Sequence, residues 1–442
     1  MAVARPGFER WYLVFVLTVA YVLSFIDRSI LSLLVGPIRA DLGITDTEVS
    51  LLHGLAFAVF YTLLGIPIAT LADTRNRRNV IAIGVAFWSL ATAACGLARN
   101  FWELLLARIG VGVGEAALSP AAYSMIADSF PRDRLNRALS VYTLGAFAGM
   151  GLALIIGAAV IARITTAGTT TLPLIGAVAP WQLVFMVVGL PGLVVALWLL
   201  TVREPARQQA ATAQGGGLRE LRPHLARHWQ AYTAHLVGFA LLGIVLNSLL
   251  AWTPTHLIRN FDLTPASAGF TLGSLIVVCC TAGILTGGWL ADRWQAAGAS
   301  DAPLRVGVIS ALGCVAFGMF ATAADTIEAT RILLAPLLFF STFAYGAAPA
   351  ALQVITPPKT RAVASALYLF VLNLVGMGLG PLITATLTDW WFADDLAVGR
   401  SLAVVMASAA AGAALLLGWG SRYFRQAIAV DAASLTARSA AA

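Results

Sequence analysis

The chain has 442 residues, of which 59% are hydrophobic and only 11% charged, against about 25% charged in an ordinary soluble domain. That excludes a soluble globular protein. The net charge of +7 comes without a basic tract interleaved with aromatics, which argues against nucleic acid as a partner.

In chain order, apolar runs near the ~20 residues that a membrane-crossing helix needs lie at 11–35, 48–72, 79–98, 101–126, 138–162 and 181–202. The first is longer than a signal-peptide core and lacks a small-residue cleavage site, so it is expected to be retained. It contains "FIDRS", with Asp27 and Arg28 side by side, although one charge at the bilayer centre costs at least ~2.5–3.5 kcal/mol. The fourth run reads "FWELLLARIGVGVGEAALSPAAYSMIA". There Arg108 and Glu115 stand two turns apart on one helix face, with Gly112 between them.

Residues 203–230, with Arg207, Gly215–Gly217, Arg219, Arg222 and Arg227, read as a linker. Six further runs follow at 231–256, 267–291, 304–324, 329–352, 363–388 and 400–420. The expected organisation is a bundle over 1–202, a cytoplasmic linker over 203–230 and a second bundle over 231–442 with a short cytoplasmic tail. None of the last six runs has an acid in mid-span. Their polar candidates are Asn247, Thr342, Tyr345, Tyr368 and Asn373, for which helix-to-helix hydrogen bonding is the plainer alternative.

Basic residues set the orientation. Loops on the side of the N-terminus carry Arg75, Arg77, Arg78, Arg132, Arg134, Arg137, the linker arginines, Arg293, Arg305, Lys359 and Arg361. The opposite side has chiefly Arg39, Arg99, Arg163, Arg259 and Arg400. Both termini are therefore expected in the cytoplasm.

The chain also repeats itself. "ATLADTRNRRNV" follows run 2 and "GWLADRW" follows run 8, with Asp73 and Asp292 about 220 positions apart. "RALS" at Arg137 and "RAVAS" at Arg361 show the same offset, and "GMG" recurs at Gly149–Gly151 and Gly376–Gly378. Repeated halves are a feature of secondary transporters.

On these residues the chain resembles a major facilitator superfamily transporter along nearly its whole length. "LADTRNRR" is similar to that family's loop 2–3 motif, departing at Ala69, Thr74 and Asn76. "FIDRS", "DTRNRRNVI", "FWSLAT", "RIGVGVGEA" and "DSFPRDRLNRALS" together resemble the Spinster-type lipid transporters. The resemblance implies an all-α membrane protein with twelve transmembrane helices in two pseudo-symmetric six-helix bundles, the major facilitator fold. It also implies that spans 1 and 4 line the cavity side of the first half. Asp27, Arg28, Arg108 and Glu115 can then form one cluster.

A neutralised structural network is one reading of that cluster; a protonation switch is the other. In the second reading Asp27 is the better proton carrier, because its helix is more exposed to the outer mouth, and Glu115 is the runner-up. Arg28 and Arg108 would hold an anionic group. By resemblance, Asp73 and Asp128, with Arg75, Arg77, Arg78, Arg134 and Arg137, form a charge relay at the inner gate, and Asp292 with Arg293 are its second-half equivalents. Gly110/Gly114, Gly145/Gly149, Gly283/Gly287 and Gly376/Gly380 are each four apart. They suit either static packing or surfaces that slide.

Cys95, Cys279, Cys280 and Cys314 lie in apolar runs without ligand spacing, so neither a metal nor a disulfide is expected. The only lysine, Lys359, follows no phosphate-binding glycine loop, which argues against ATP-driven pumping. The expectation is not an enzyme but a proton-coupled secondary transporter of a lysolipid or sphingolipid-like amphiphile. It would work by alternating access, without a cofactor beyond the coupling proton. A monomer in a bacterial inner membrane is expected. A proton-coupled exporter of drugs or organic anions stays open, as does an uncoupled lipid scramblase or transporter-like sensor.

Overall fold

The computed structural model describes residues 7–165, 170–172, 176–207 and 218–440. Among them, eleven helices are long and apolar enough to cross a membrane: Gly7–Leu33, Asp46–Ala72, Arg77–Cys95, Phe101–Ser129, Pro180–Leu199, Trp229–Phe261, Pro265–Ala296, Ala302–Ala323, Ile327–Ile355, Val363–Phe392 and Asp395–Val430. A shorter apolar stretch, Gly149–Ile164, lies inside the helix Arg132–Thr165. Counting that helix fifth, spans 1 to 12 follow the apolar runs of the sequence. The agreement has a simple cause: a backbone in hydrocarbon must satisfy its own hydrogen bonds, and a helix does so within one segment.

Departures from regular helix fall at informative places. Span 4 is broken after Glu115, and its second helix starts at Leu118. Pro120 explains the break, since its ring crowds the carbonyl four residues back. Span 2 carries a π turn over Leu51–Leu55, spans 8 and 11 carry π turns at Ile276–Cys280 and Leu372–Leu379, and such bulges often mark functional positions.

Two elements went unread in the sequence. Residues Thr170–Leu172 (β1) and Gly176–Val178 (β2) form a short antiparallel hairpin between spans 5 and 6, in the register Thr170↔Val178. Strands of three residues are too short to show alternation. The stretch read as a linker holds a helix over Leu218–Arg227. Leu221 is fully buried from it, and His224 Nε2 lies 2.8 Å from the Ile355 carbonyl oxygen. The glycine run Gly215–Gly217 lies outside the described residues.

By contacts the chain forms two compact units. The first comprises Met1–Ala211, Leu250–Val277 and Pro381–Val398; the second comprises Thr212–Leu249, Val278–Gly380 and Gly399–Ala442. In the first unit span 1 packs along span 5, and span 3 packs against spans 4 and 6, around buried Trp88 and Trp181. The first unit also takes in one end each of spans 7, 8 and 11 and the first residues of span 12. In the second unit spans 9 and 10 pair, and the core gathers Leu304, Phe343, Leu417 and Phe424.

The spaced glycines pack helices inside each six-span half rather than forming the sliding surfaces that were one option. A Cβ at Gly114 would meet Trp88 at 2.7 Å, one at Gly149 would meet Val22 at 3.0 Å, and one at Gly376 would meet Gly243 at 3.0 Å. At Gly287 it would run into the Phe343 carbonyl of span 10. Gly151 is different. Its added Cβ would lie 2.5 Å from the Gly273 carbonyl oxygen, so in the first unit it seats span 5 against span 8.

Gly287→Val is therefore expected to destabilise the protein by roughly 1–3 kcal/mol, the usual cost of overpacking. Gly288→Val, with nothing within 4 Å of the added Cβ, should leave stability unchanged. Thermal melting in detergent compares the two, and equal midpoints would contradict the packing role.

Candidate functional site

The buried charges of spans 1 and 4 come together inside the first unit. Arg28 donates from Nε to Glu115 Oε2 at 2.5 Å, and its Nη2 forms an ion pair with the same oxygen. Glu115 is fully enclosed, whereas 18% of the Arg28 side chain is accessible. Around the guanidinium stand Phe57 at 4.6 Å, Tyr61 at 5.3 Å and Phe25 at 5.4 Å from its carbon to the ring centroids. Aromatic faces attract a cation and cost little solvent access. Tyr21 and Tyr142 stack beyond them at 4.8 Å, with Tyr123 edge-on to Tyr142.

Arg108, also fully buried, bonds backbone rather than carboxylate. Its Nη1 donates to the Asp27 carbonyl oxygen at 3.0 Å and its Nε to the Leu52 carbonyl at 3.3 Å. Leu52 lies in the π turn of span 2, where the widened backbone alters the regular carbonyl pairing.

Among the described residues the Asp27 carboxylate forms no ion pair. Trp88 Nε1 and Thr92 Oγ1 of span 3 stand beside it as its neutral donors. Glu115 Oε1 and Arg108 Nη2 are buried without a hydrogen-bond partner. Two acids and two bases thus share one enclosed region. Both acids are buried, Asp27 at 3% and Glu115 at 1% exposure, so their own burial does not rank them as proton carriers.

At the end of the basic loops, Arg77 organises a second network. It donates to Asp128 Oδ2 at 2.5 Å, Ser124 Oγ at 2.8 Å, Glu204 Oε1 at 2.9 Å and the Pro205 carbonyl at 2.8 Å. Glu204, absent from the sequence-based candidates, also accepts from the backbone N–H groups of Arg77 and Arg78 at 3.2 and 2.8 Å. A carboxylate there meets the positive end of span 3. Arg78 further reaches the Leu200 carbonyl, and the exposed Arg75 contributes its carbonyl to Arg207. The side chains of Asp73, Arg134 and Arg137 lie outside the described residues. Asp292 and Arg293 do not reproduce this network. Both are exposed, neither forms an ion pair among the described residues, and Arg293 lies over the Trp289 ring.

The second-half candidates separate into groups. Thr342 is fully buried, with its hydroxyl 3.0 Å from the Cys280 carbonyl and 3.2 Å from that of Leu338, as the helix-to-helix alternative has it. Asn247 donates to Gly243 of its own helix at 2.8 Å. Tyr368 is buried beside His235, with ring centroids 5.3 Å apart. Tyr345 and Asn373 are partly accessible.

Sequence reading missed a third network, at the opposite end of the first unit. Arg259, closing span 7, grips fully buried Asp46 through Nη1–Oδ2 at 2.6 Å and Nη2–Oδ1 at 2.8 Å. Arg39 adds contacts to Asp46 at 3.2 Å and Asp395 at 2.8 Å. Asp389 of span 11 accepts from the N–H and hydroxyl of Thr47 at 2.6 and 2.7 Å. Trp252 Nε1 and Ser50 Oγ both donate to the Pro381 carbonyl. Single oxygens of Asp46, Asp389 and Asp395 converge within 4.8 Å of one another, and the two guanidiniums meet that charge. Arg39 and Arg259 had read only as a minority of loop charges. The usable signal was the excess of acids around them: Asp41, Asp46 and Glu48 follow Arg39, and Asp389, Asp394 and Asp395 precede Arg400.

Comparison with known proteins agrees with this architecture. The Major Facilitator Superfamily matches over residues 17–381. An MFS-type efflux pump of Mycolicibacterium smegmatis is 28% identical over 420 residues, 91% of each chain. Protein spinster homolog 1 of Xenopus tropicalis is 28% identical over 406 residues, 85% of this chain and 72% of that protein. A crystal structure of a bacterial homologue of the human lysosomal transporter Spinster, inward-facing and unoccupied, superposes with a TM-score of 0.78. It covers 96% of this chain and 98% of that one, at 24% identity, and so speaks to the fold.

The chain belongs to the Major Facilitator Superfamily. It is an integral membrane protein and a Spinster-like secondary transporter of a small molecule, not an enzyme.

Proposed function

We propose that the protein is a proton-coupled transporter that moves a lysolipid or sphingolipid-like amphiphile by alternating access. We place it in a bacterial inner membrane with both termini in the cytoplasm. The observation that carries this reading is the Arg28–Glu115 pair, half-ringed by aromatic faces and adjacent to the Asp27 carboxylate. Protonating Glu115 removes the counter-charge of Arg28. The freed guanidinium then takes an anionic headgroup through charge-assisted hydrogen bonds, while the aromatic and aliphatic surroundings accept apolar parts of the same molecule. Asp27, next to Arg28 in span 1 and near Arg108, is the second proton site. In this reading the Asp46–Arg259 network is the latch of the outer end.

A proton-coupled exporter of drugs or organic anions is the second reading, favoured by the similarity to a mycobacterial efflux pump. Transport in proteoliposomes decides between them. Wild type should move a fluorescent lysolipid faster under an imposed pH gradient, and Asp27→Asn should abolish the gradient dependence. Equal movement without a gradient would make the protein an uncoupled scramblase. No lipid movement at all would favour the exporter.

A further inference from the structure

The second unit carries a cationic groove at the membrane surface that plays no part in the transport reading. It lies between the start of span 9 and the end of span 12, with a volume of about 470 Å³, and is lined by Asp301, Arg305, Arg422 and Arg425 together with Val308 and Ile309. Its depth follows from the sequence. Residues 401–420 of span 12 contain no charge, and Arg422 and Arg425 are the first to follow; in span 9, residues 306–324 contain none, and Arg305 immediately precedes them. An uncharged run of about 20 residues fills the hydrocarbon core, so the three guanidiniums stand at one interface.

Their charge is not neutralised locally. Asp301, 1% exposed, pairs with Arg425 at 2.7 Å and with Arg305 at 3.0 Å. One carboxylate against three guanidiniums leaves the groove with two net positive charges. Arg305 and Arg425 keep about half of their side-chain surface accessible, at 48% and 49%. Arg422 is steered by Tyr423, lying 4.6 Å over its ring and donating to its hydroxyl at 2.9 Å. Trp419 packs on Tyr423 at 4.9 Å and beside Trp229 at 6.3 Å, and aromatic residues of this kind sit at headgroup level.

We propose that this groove binds an anionic phospholipid of the cytoplasmic leaflet. The phosphate faces Arg305, Arg422 and Arg425, and one acyl chain lies along Val308 and Ile309. Basic pockets between helices on the cytoplasmic side suit such headgroups, and Asp301 prepares the site by fixing two of the three arginines. The site is separate from Arg28 and Glu115, so a failure here would leave the transport reading intact.

Native mass spectrometry of the purified full-length protein in detergent tests it, with phosphatidylglycerol or phosphatidylcholine added. Wild type should retain phosphatidylglycerol preferentially. Arg305→Gln/Arg422→Gln, which keeps the Arg425–Asp301 pair, should bind it about thirtyfold more weakly, the combined effect of two interfacial arginines. Arg422→Lys should keep most of the binding, and similar melting temperatures of the lipid-free proteins would show that the variants fold. Equal retention of both lipids, or undiminished retention by the double variant, would overturn the proposal. Displacement of the lipid by excess inorganic phosphate alone would overturn a lipid as the occupant.

Discussion

Asp46→Asn is expected to open the outer end of the first unit. Asp46 is fully buried and holds Arg259 through two hydrogen bonds of 2.6 and 2.8 Å, with Arg39 at 3.2 Å. Removing one partner of a buried pair costs about 3–5 kcal/mol, because the remaining charge is left uncompensated. The exposed fraction of Arg39 and the contacts of Arg259 to the Asp395 carbonyl soften that loss, so the low end, ~3 kcal/mol, is the better expectation. Applied to a two-state transporter, such a bias shifts the closed-to-open ratio by more than about a hundredfold. Spin labels at Ala40 and Leu396, both exposed, would report it as a second, longer distance. Arg259→Gln should give the same population. Asp292→Asn, on an exposed residue without an ion pair among those described, should not. One unchanged distance in Asp46→Asn would reduce the network to loop packing.

This network also marks where the sequence stopped being readable. The helices were legible because hydrocarbon permits few alternatives. Asp27, Arg28, Arg108 and Glu115 stood out because charge is rare in such runs. Their pairing was not legible. Asp27 and Arg28 are adjacent in the chain, and successive residues on a helix do not face each other; Arg28 instead meets Glu115, 87 positions away. Glu204 escaped notice for a related reason. It follows span 6 as an ordinary loop acid, and only the folded chain brings it to the first N–H groups of span 3. Likewise, the four-residue glycine spacing announced close approach but not the partner. Gly283 and Gly287 turned out to meet span 10, while the seam of spans 5 and 8 rests on Gly151 and Gly273.

Glu115→Gln separates a structural salt bridge from a working one. The substitution keeps the shape of the side chain and removes the charge that Arg28 faces. A purely structural pair predicts one loss, in stability, of up to about 3 kcal/mol given that Arg28 retains partial solvent access and three aromatic neighbours. Arg28→Gln alone should destabilise similarly, by stranding Glu115. In the double variant Arg28→Gln/Glu115→Gln no buried charge is stranded, so much of the melting temperature should return; the difference from the sum of the single effects measures the coupling. Transport should not return with it. If Glu115 carries a proton and Arg28 the substrate anion, the double variant is stable and inactive, and Glu115→Gln binds substrate but no longer responds to a pH gradient. Recovery of gradient-driven transport in the double variant would show that the pair only joins span 1 to span 4, and coupling would then rest on Asp27 alone.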